Sequence, residues 1–124
     1  MSNLESNTRP ACRVPAETDP DRLTDDLKRF GCRVLVLYGS ELPSFVRDAL
    51  SGEADFRVFE MSGAEPSPLD ESVDIGASIC RHEKIEVLLA AGGNCALDFA
   101  VRVADRFRER DPSGMGLDVV HLLI

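Results

Sequence analysis

Apolar positions along the chain fall into short runs of strand length separated by longer stretches with a helical period. Three runs that are mostly apolar have the pattern of strands buried on both faces, and another alternates apolar and polar residues. Each of the first three runs is closed by a turn-forming segment that contains glycine. The predicted strands are Arg33–Tyr38, Phe56–Met61, Ile85–Ala91 and Val119–Ile124.

Between these runs, apolar residues recur at intervals of three and four, which predicts amphipathic helices. Two helices are expected at Asp19–Phe30 and Leu42–Leu50. A third is expected to begin with Ser67 as N-cap and Pro68 at N1 and to end near His82. The last should run from about Asn94 to Arg110 and bury one apolar stripe, made of Leu97, Ala100, Val101, Ala104 and Phe107.

The alternation of strands and helices predicts right-handed βαβ units and a parallel sheet. We therefore expect an α/β fold, a Rossmann-like parallel sheet of about four strands with helices on both faces, in three layers. Residues 19–124 form this domain in the prediction, and residues 1–18 an irregular N-terminal segment with a possible short edge strand at Ala11–Val14. The last strand ends with the chain, which predicts an open sheet edge that pairs with a second copy or a partner chain.

Charge and composition exclude several classes of partner. The net charge is −8, with 14 basic residues scattered among 22 acidic ones, which disfavours nucleic acid and anionic membranes. No apolar run has the roughly 20 residues that a bilayer span needs, and no signal peptide is visible, so a cytoplasmic location is expected. The four cysteines lack metal-type spacing and are expected to be reduced thiols.

Three segments are predicted to meet at the carboxyl ends of the strands, where ligands bind in such sheets. They are Gly39–Glu41, Gly63–Pro68 and Gly92–Cys95. The third joins a strand to a helix through two glycines, so free N–H groups and the helix dipole can hold a phosphate there. The alternative is that the glycines only permit a tight turn, since neither GxGxxG nor a P-loop is present.

Four segments, taken in order, resemble the iron-containing alcohol dehydrogenase family. They are DRLTDDLKRFG, RVLVLYGS, AEPSP and VLLAAGGNCALDFAVRVA, the last being similar to the family's strand–GGGS–xxD–helix signature. The resemblance covers roughly residues 19–110 and implies the N-terminal, NAD- or NADP-binding part of an oxidoreductase. It matches Gly92, Gly93, Asn94 and Cys95 to the pyrophosphate turn and Asp98 to the acidic position of the motif. It also puts Gly39 and Ser40 near the adenine ribose, and Ser67 beside the nucleotide.

The sequence departs from the family pattern at three positions. Asn94 replaces a third glycine, Cys95 replaces serine, and Val101 stands where lysine is common. The family's metal is held by an aspartate and histidines of a C-terminal helical domain, and this sequence ends before such a domain. The two histidines, His82 and His121, are expected to be a helix-end residue and a packed strand residue, so we predict no metal site and no catalytic residue.

Several alternatives stay open at this level. Asp98 and Arg102 have the spacing of a helix-surface ion pair. Ser40 could donate to a 2′-phosphate, whereas Glu41 would repel one and could bind a free ribose, so NAD and NADP are not distinguished. The chain is either the dinucleotide-binding part of an alcohol dehydrogenase-like oxidoreductase, inactive on its own, or a non-catalytic module that kept the fold without the cofactor.

Overall fold

The computed structural model describes residues 10–14, 20–39, 41–52, 54–63, 69–110 and 117–122. Five strands and four helices alternate along this part of the chain. The strands are β1 (Pro10–Val14), β2 (Arg33–Tyr38), β3 (Arg57–Met61), β4 (Val87–Ala91) and β5 (Asp118–Leu122). The helices are α1 (Pro20–Lys28), α2 (Ser44–Ser51), α3 (Asp70–Glu83) and α4 (Asn94–Arg110).

The five strands form one sheet in the order β1-β5-β4-β2-β3, and every neighbouring pair is parallel. The predicted α/β class and all four predicted strands are confirmed, and the possible strand near Ala11–Val14 is present as β1. β1 therefore gives regular structure to five residues of the segment that was expected to be irregular.

The prediction that the last strand is an open edge is wrong. β5 lies between β4 and β1, with Val14 in register with Leu122 on one side and Ala91 in register with Leu122 on the other. The physical reason is that β1 supplies the hydrogen-bonding partner that the sequence pattern had left unassigned. The two outer strands of the sheet are β1 and β3.

Helices cover both faces of the sheet, which confirms the three-layer arrangement. On one face, α1 and α2 pack through Leu23, Leu27, Val46 and Leu50 onto alternate residues of β2, β4 and β5. On the other face, α3 and α4 pack onto the intervening residues. β2 and β4 are buried on both faces because they lie in the middle of the sheet, whereas β3, an outer strand, is only half-buried.

The start of the third helix was predicted wrongly. α3 begins at Asp70, and the N–H of Val73 donates to the carbonyl of Leu69 at 3.0 Å, so Leu69 takes the N-cap position. The first buried residue of this helix is Val73, so packing onto the sheet does not require an additional helical turn before Asp70. Ser67 and Pro68 lie outside the described residues. Val73, Ala77 and Cys80 of this helix are buried, Val73 and Cys80 against the sheet and α4.

The buried face of α4 is rotated from the predicted one. Its fully buried residues are Ala96, Phe99, Ala100, Val103 and Ala104. Leu97, Val101 and Phe107 are half-buried. The helix packs against α3 as well as the sheet, and this second contact turns Phe99 and Val103 toward the core. The helical period predicts that α4 has an apolar stripe, but it contains no information about where α3 lies.

Candidate functional site

The predicted ligand-binding segments meet at one edge of the sheet, where Gly63, the one described residue of the segment Gly63–Pro68, donates its N–H to the Gly39 carbonyl at 3.0 Å. β2 and β4 are adjacent, with Tyr38 in register with Ala91, so Gly39 and Gly92 follow the two strands side by side. They open into a pocket of about 290 Å³. The pocket is lined by Gly39, Glu41, Pro43, Ala91, Gly92, Gly93, Asn94, Cys95 and Ala96.

The backbone at the N-terminus of α4 lines this pocket. Gly92 has φ +141°, a conformation that favours glycine, and a Cβ there would lie 3.4 Å from the Cβ of Ala96. A Cβ on Gly93 would meet no atom within 4 Å. The carbonyl of Gly93 accepts from the N–H of Leu97 at 3.2 Å, so the helical hydrogen bonds begin here. The first turn of α4, whose N–H groups have no carbonyl partner within the helix, therefore borders the pocket.

Gly92 is tied to β5 through both of its backbone polar groups. Its N–H donates to the carbonyl of Leu122 at 3.1 Å, and its carbonyl accepts from Nε2 of His121 at 2.8 Å. His121 is 2% exposed, which confirms that it is a packed strand residue. Sequence reasoning missed its contact with the turn. The available signal was that His121 is the one polar residue in the otherwise apolar run VVHLLI.

Of the remaining predicted site residues, the structure describes Asp98, which lies outside the pocket. Its carboxylate pairs with the guanidinium of Arg102 at 3.1 Å, which confirms the predicted helix-surface ion pair. Ser40 and Ser67 lie outside the described residues. The structure thus brings together Gly39 and the run 92–95, and leaves Asp98 on the helix flank.

The charge around the pocket is unusual for an anion site. None of the nine lining residues is basic, and Glu41 adds a carboxylate. An anion held here would depend on backbone N–H groups and on the dipole of α4, which together favour negative charge at a helix N-terminus. The α4 helix is long enough, at 17 residues, for this dipole to be fully developed.

A larger open cleft of about 390 Å³ lies on the outer face of α3 and reaches Arg110. It contains none of the glycines and none of the predicted site residues, and it is rimmed by Asp74, His82 and Glu83. Because ligands in parallel sheets bind beyond the carboxyl ends of the strands, we take the smaller pocket as the candidate site.

The described residues do not fit a metal ion. No group of three or more His, Cys, Asp or Glu side chains converges within them. His82 lies at the exposed end of α3, where Nδ1 contacts the Ser78 carbonyl at 3.0 Å, and His121 lies in the sheet. Across these same residues, no helix combines the length and apolar character that a bilayer crossing requires.

Comparisons with known proteins agree with the resemblance seen in the sequence. A profile described as iron-containing alcohol dehydrogenase matches residues 17–119. NADH-dependent butanol dehydrogenase B of Clostridium acetobutylicum is 35% identical over 86 residues, which are 64% of this chain and 22% of that protein. Probable NADH-dependent butanol dehydrogenase 1 of Bacillus subtilis is 36% identical over 90 residues, 68% of this chain and 23% of that protein.

Solved structures share the fold. An iron-containing alcohol dehydrogenase of Thermotoga maritima superposes with a TM-score of 0.73 at 18% identity, covering 96% of this chain and 38% of that one. NADH-dependent butanol dehydrogenase A of the same organism gives a TM-score of 0.71 at 23% identity, covering 96% and 33%. The chain spans less than a quarter of the length of the two butanol dehydrogenases of C. acetobutylicum and B. subtilis. With its profile match over residues 17–119 and its glycine turn between β4 and α4, the chain belongs to the iron-containing alcohol dehydrogenase family.

Proposed function

We propose that this chain binds a nicotinamide dinucleotide, with its pyrophosphate at the turn between β4 and α4. The observation that carries the proposal is the space at Gly93, where a Cβ would meet no atom within 4 Å at the N-terminus of a long helix. A tight turn alone would explain the glycine at position 92, whose φ is +141°. It would not explain a second glycine with open space around it at position 93.

In this proposal the predicted residues bind different parts of the dinucleotide. The N–H groups of the first turn of α4 donate to the pyrophosphate, and the small surface of Gly93 lets it approach the backbone closely. Gly39 lets the adenine ribose approach the end of β2. Ser40 and Ser67 stay predicted contacts, and Asp98 would have to leave its ion pair with Arg102 to take part.

Glu41 favours NAD over NADP in this proposal. Glu41 lines the pocket with Gly39, and a carboxylate at this position accepts hydrogen bonds from a ribose diol and repels a 2′-phosphate. The names of the relatives from C. acetobutylicum and B. subtilis, both NADH-dependent, support the same choice. The described residues that line the pocket include no basic side chain to offset that repulsion.

The activity proposed by descent is that of an alcohol dehydrogenase-like oxidoreductase, with this chain as its cytoplasmic dinucleotide-binding part. The cofactor, when bound, supplies the hydride chemistry, and the chain's own residues bind and orient it. Since the described residues do not fit a metal, we derive no catalytic step from them. We expect residues 1–124 by themselves not to oxidise alcohols, because that activity also needs metal-binding residues, and the described residues do not supply them.

Titration of NADH into the purified chain tests the proposal. The cofactor's own fluorescence is a clean signal because the chain has no tryptophan, and calorimetry provides an independent measurement. We expect saturable binding that G93D abolishes, because the new carboxylate would occupy the place of the pyrophosphate. The isosteric G93N is the matched control, since it adds the same bulk without the charge and should weaken binding less.

A second candidate function is a non-catalytic module that retains the fold without the cofactor. Two observations favour it: none of the nine described lining residues is basic, and Asp98 is paired with Arg102. Failure of the wild-type chain to bind NADH at millimolar concentration, while it unfolds cooperatively, would replace the first proposal with this one.

A further inference from the structure

His121 makes a contact that its burial alone does not require. It lies on β5 beside Ala90 of β4, is 2% exposed, and directs Nε2 to the Gly92 carbonyl at 2.8 Å. A carbonyl oxygen can only accept, so Nε2 carries the hydrogen of this bond. Nδ1 is buried as well, and no partner for it is found in the part of the chain that the structure describes.

Burial of Nδ1 with no partner among the described residues lowers the stability of the fold. A buried nitrogen without a partner loses its hydrogen bonds to water and gains none in return. The neighbouring residues of β5, among them Val119, Val120 and Leu122, show that an aliphatic side chain is compatible with this strand. A leucine at position 121 would fill the core without an unpaired polar atom. The hydrogen bond to the Gly92 carbonyl is therefore the best explanation for a histidine at this position.

The peptide unit between Gly92 and Gly93 connects His121 to the candidate site. In a planar trans peptide the C=O and the N–H point in opposite directions. Because the Gly92 carbonyl points at His121, the N–H of Gly93 points away from it and from β5. Gly93 is the residue whose α-carbon faces open space at the start of α4.

Two glycines flank this peptide unit, and neither restricts its rotation with a side chain. The turn therefore needs an external contact to keep one orientation. The N–H of Gly92 belongs to the preceding peptide unit, so its bond to the Leu122 carbonyl does not fix the unit in question. Among the hydrogen bonds of the described residues, the one from His121 Nε2 is the contact that holds the Gly92 carbonyl.

We propose that His121 is a positioning residue for the nucleotide turn: its hydrogen bond to the Gly92 carbonyl holds the Gly92–Gly93 peptide so that the Gly93 N–H is presented to the pyrophosphate. This inference rests on the proposed dinucleotide site, which it deepens. It assigns a ligand-binding role to a residue of β5 that does not touch the ligand.

The test uses three variants of the full chain. H121Q keeps a side-chain N–H that can reach the same carbonyl, H121F keeps a ring of similar size without a donor, and H121L is the aliphatic replacement if H121F does not fold. We expect H121F to weaken NADH binding by about ten-fold or more, which is the size of effect expected when a hydrogen bond to the turn is lost. H121Q should stay within about three-fold of the wild type.

A second readout does not depend on the nucleotide. The amide resonance of Gly93 in the unliganded protein reports the orientation of the peptide unit, and we expect it to shift and to exchange faster in H121F than in H121Q. Wild-type binding of NADH by H121F, an equal loss in H121F and H121Q, or an unchanged Gly93 amide would each overturn the proposal. So would the failure of both H121F and H121L to fold, because the role would then be structural.

The two readouts separate this inference from the proposed function. If the wild-type chain does not bind NADH, the dinucleotide proposal fails and with it the ligand role of His121. The effect of His121 on the Gly93 amide would still be measured in the same samples. If the wild type binds and H121F binds equally well, only the positioning role is overturned.

Discussion

Gly76 of α3 lies directly against Val103 of α4, so closely that a Cβ on Gly76 would stand 2.8 Å from Cγ2 of Val103. Val103 is fully buried, and a β-branched residue in a helix has one strongly preferred χ1, so its methyl group cannot turn aside. Glycine at this position therefore fixes how closely the two helices approach on their face of the sheet.

We predict that G76A destabilises the chain although alanine is the better helix former. Overpacking a core costs about 1–3 kcal/mol, against a gain of about 1 kcal/mol in helix propensity, so a net loss of about 1 kcal/mol in the free energy of unfolding is expected. Denaturant unfolding measures it. G52A is the control, because its Cβ would lie 3.4 Å from the nearest atom and should leave stability nearly unchanged.

A double variant checks that Val103 is the cause. V103A alone should destabilise by leaving a cavity, and G76A combined with V103A should lose less stability than the two single changes added together. Strict additivity would show that the close approach is not what G76A disturbs.

E41Q should lower the discrimination between NADH and NADPH. The wild type is expected to bind NADH more tightly, because the Glu41 carboxylate repels a 2′-phosphate, and removing its charge should reduce the ratio of the two dissociation constants by about ten-fold at low salt. Fluorescence titration gives both constants. D48N removes the same charge from the exposed face of α2, outside the pocket, and should leave the ratio unchanged.

The pair between Arg47 of α2 and Glu60 of β3 should make stability depend on pH. Two hydrogen bonds, of 3.0 and 2.8 Å, lower the pKa of the Glu60 carboxyl below its ordinary value, chiefly because the guanidinium binds its charged form. The contribution of the pair is therefore present at neutral pH and disappears as pH falls through that lowered pKa.

The variant R47M tests whether the contribution of this pair to stability decreases on acidification. The difference in free energy of unfolding between wild type and R47M should be larger at neutral pH than below about pH 4, where Glu60 takes up a proton in the unfolded and then the folded chain. The difference should be small and decrease with added salt, since the pair is largely exposed. A difference that grows on acidification would contradict the assignment.

Cys80 should resist alkylation in the folded chain. Burial in the core beneath α3 raises the pKa of its thiol to about 12, and the thiolate is the reactive form. Iodoacetamide at neutral pH should modify Cys80 only after denaturation, whereas the half-buried Cys95 at the pocket should be modified in the native protein. Mass spectrometry of native and denatured samples measures both, and rapid native labelling of Cys80 would show that the core opens more readily than its packing implies.

The local features of this fold could be predicted because they depend on neighbouring residues in the chain. The apolar runs predicted β2 to β5, and the helical periods predicted α1 to α4. The glycines of the GGNC segment predicted the turn between β4 and α4. Side-chain period and the need of glycine at special backbone angles act within a few residues, so they can be read without the fold.

The start of α3 is a local error, since its N-cap lies two residues from the predicted one. The other errors and the main omission involve contacts between distant parts of the chain. Pairing of β1 with β5 joins Val14 to Leu122 and turns the supposed edge strand into an interior one. The second helix packed against α4 decided which of its apolar residues are fully buried. Nothing in the local pattern of either segment specifies the partner.

The sequence by itself determined the class of sheet, the glycine turn and the family resemblance. The tertiary structure alone decided that Asp98 stays outside the pocket at that turn, and it brought His121 to the carbonyl of Gly92, 29 residues away. The reason is that a backbone period fixes the face on which a residue lies, whereas the group it meets depends on strand order and helix packing, which many distant contacts decide together.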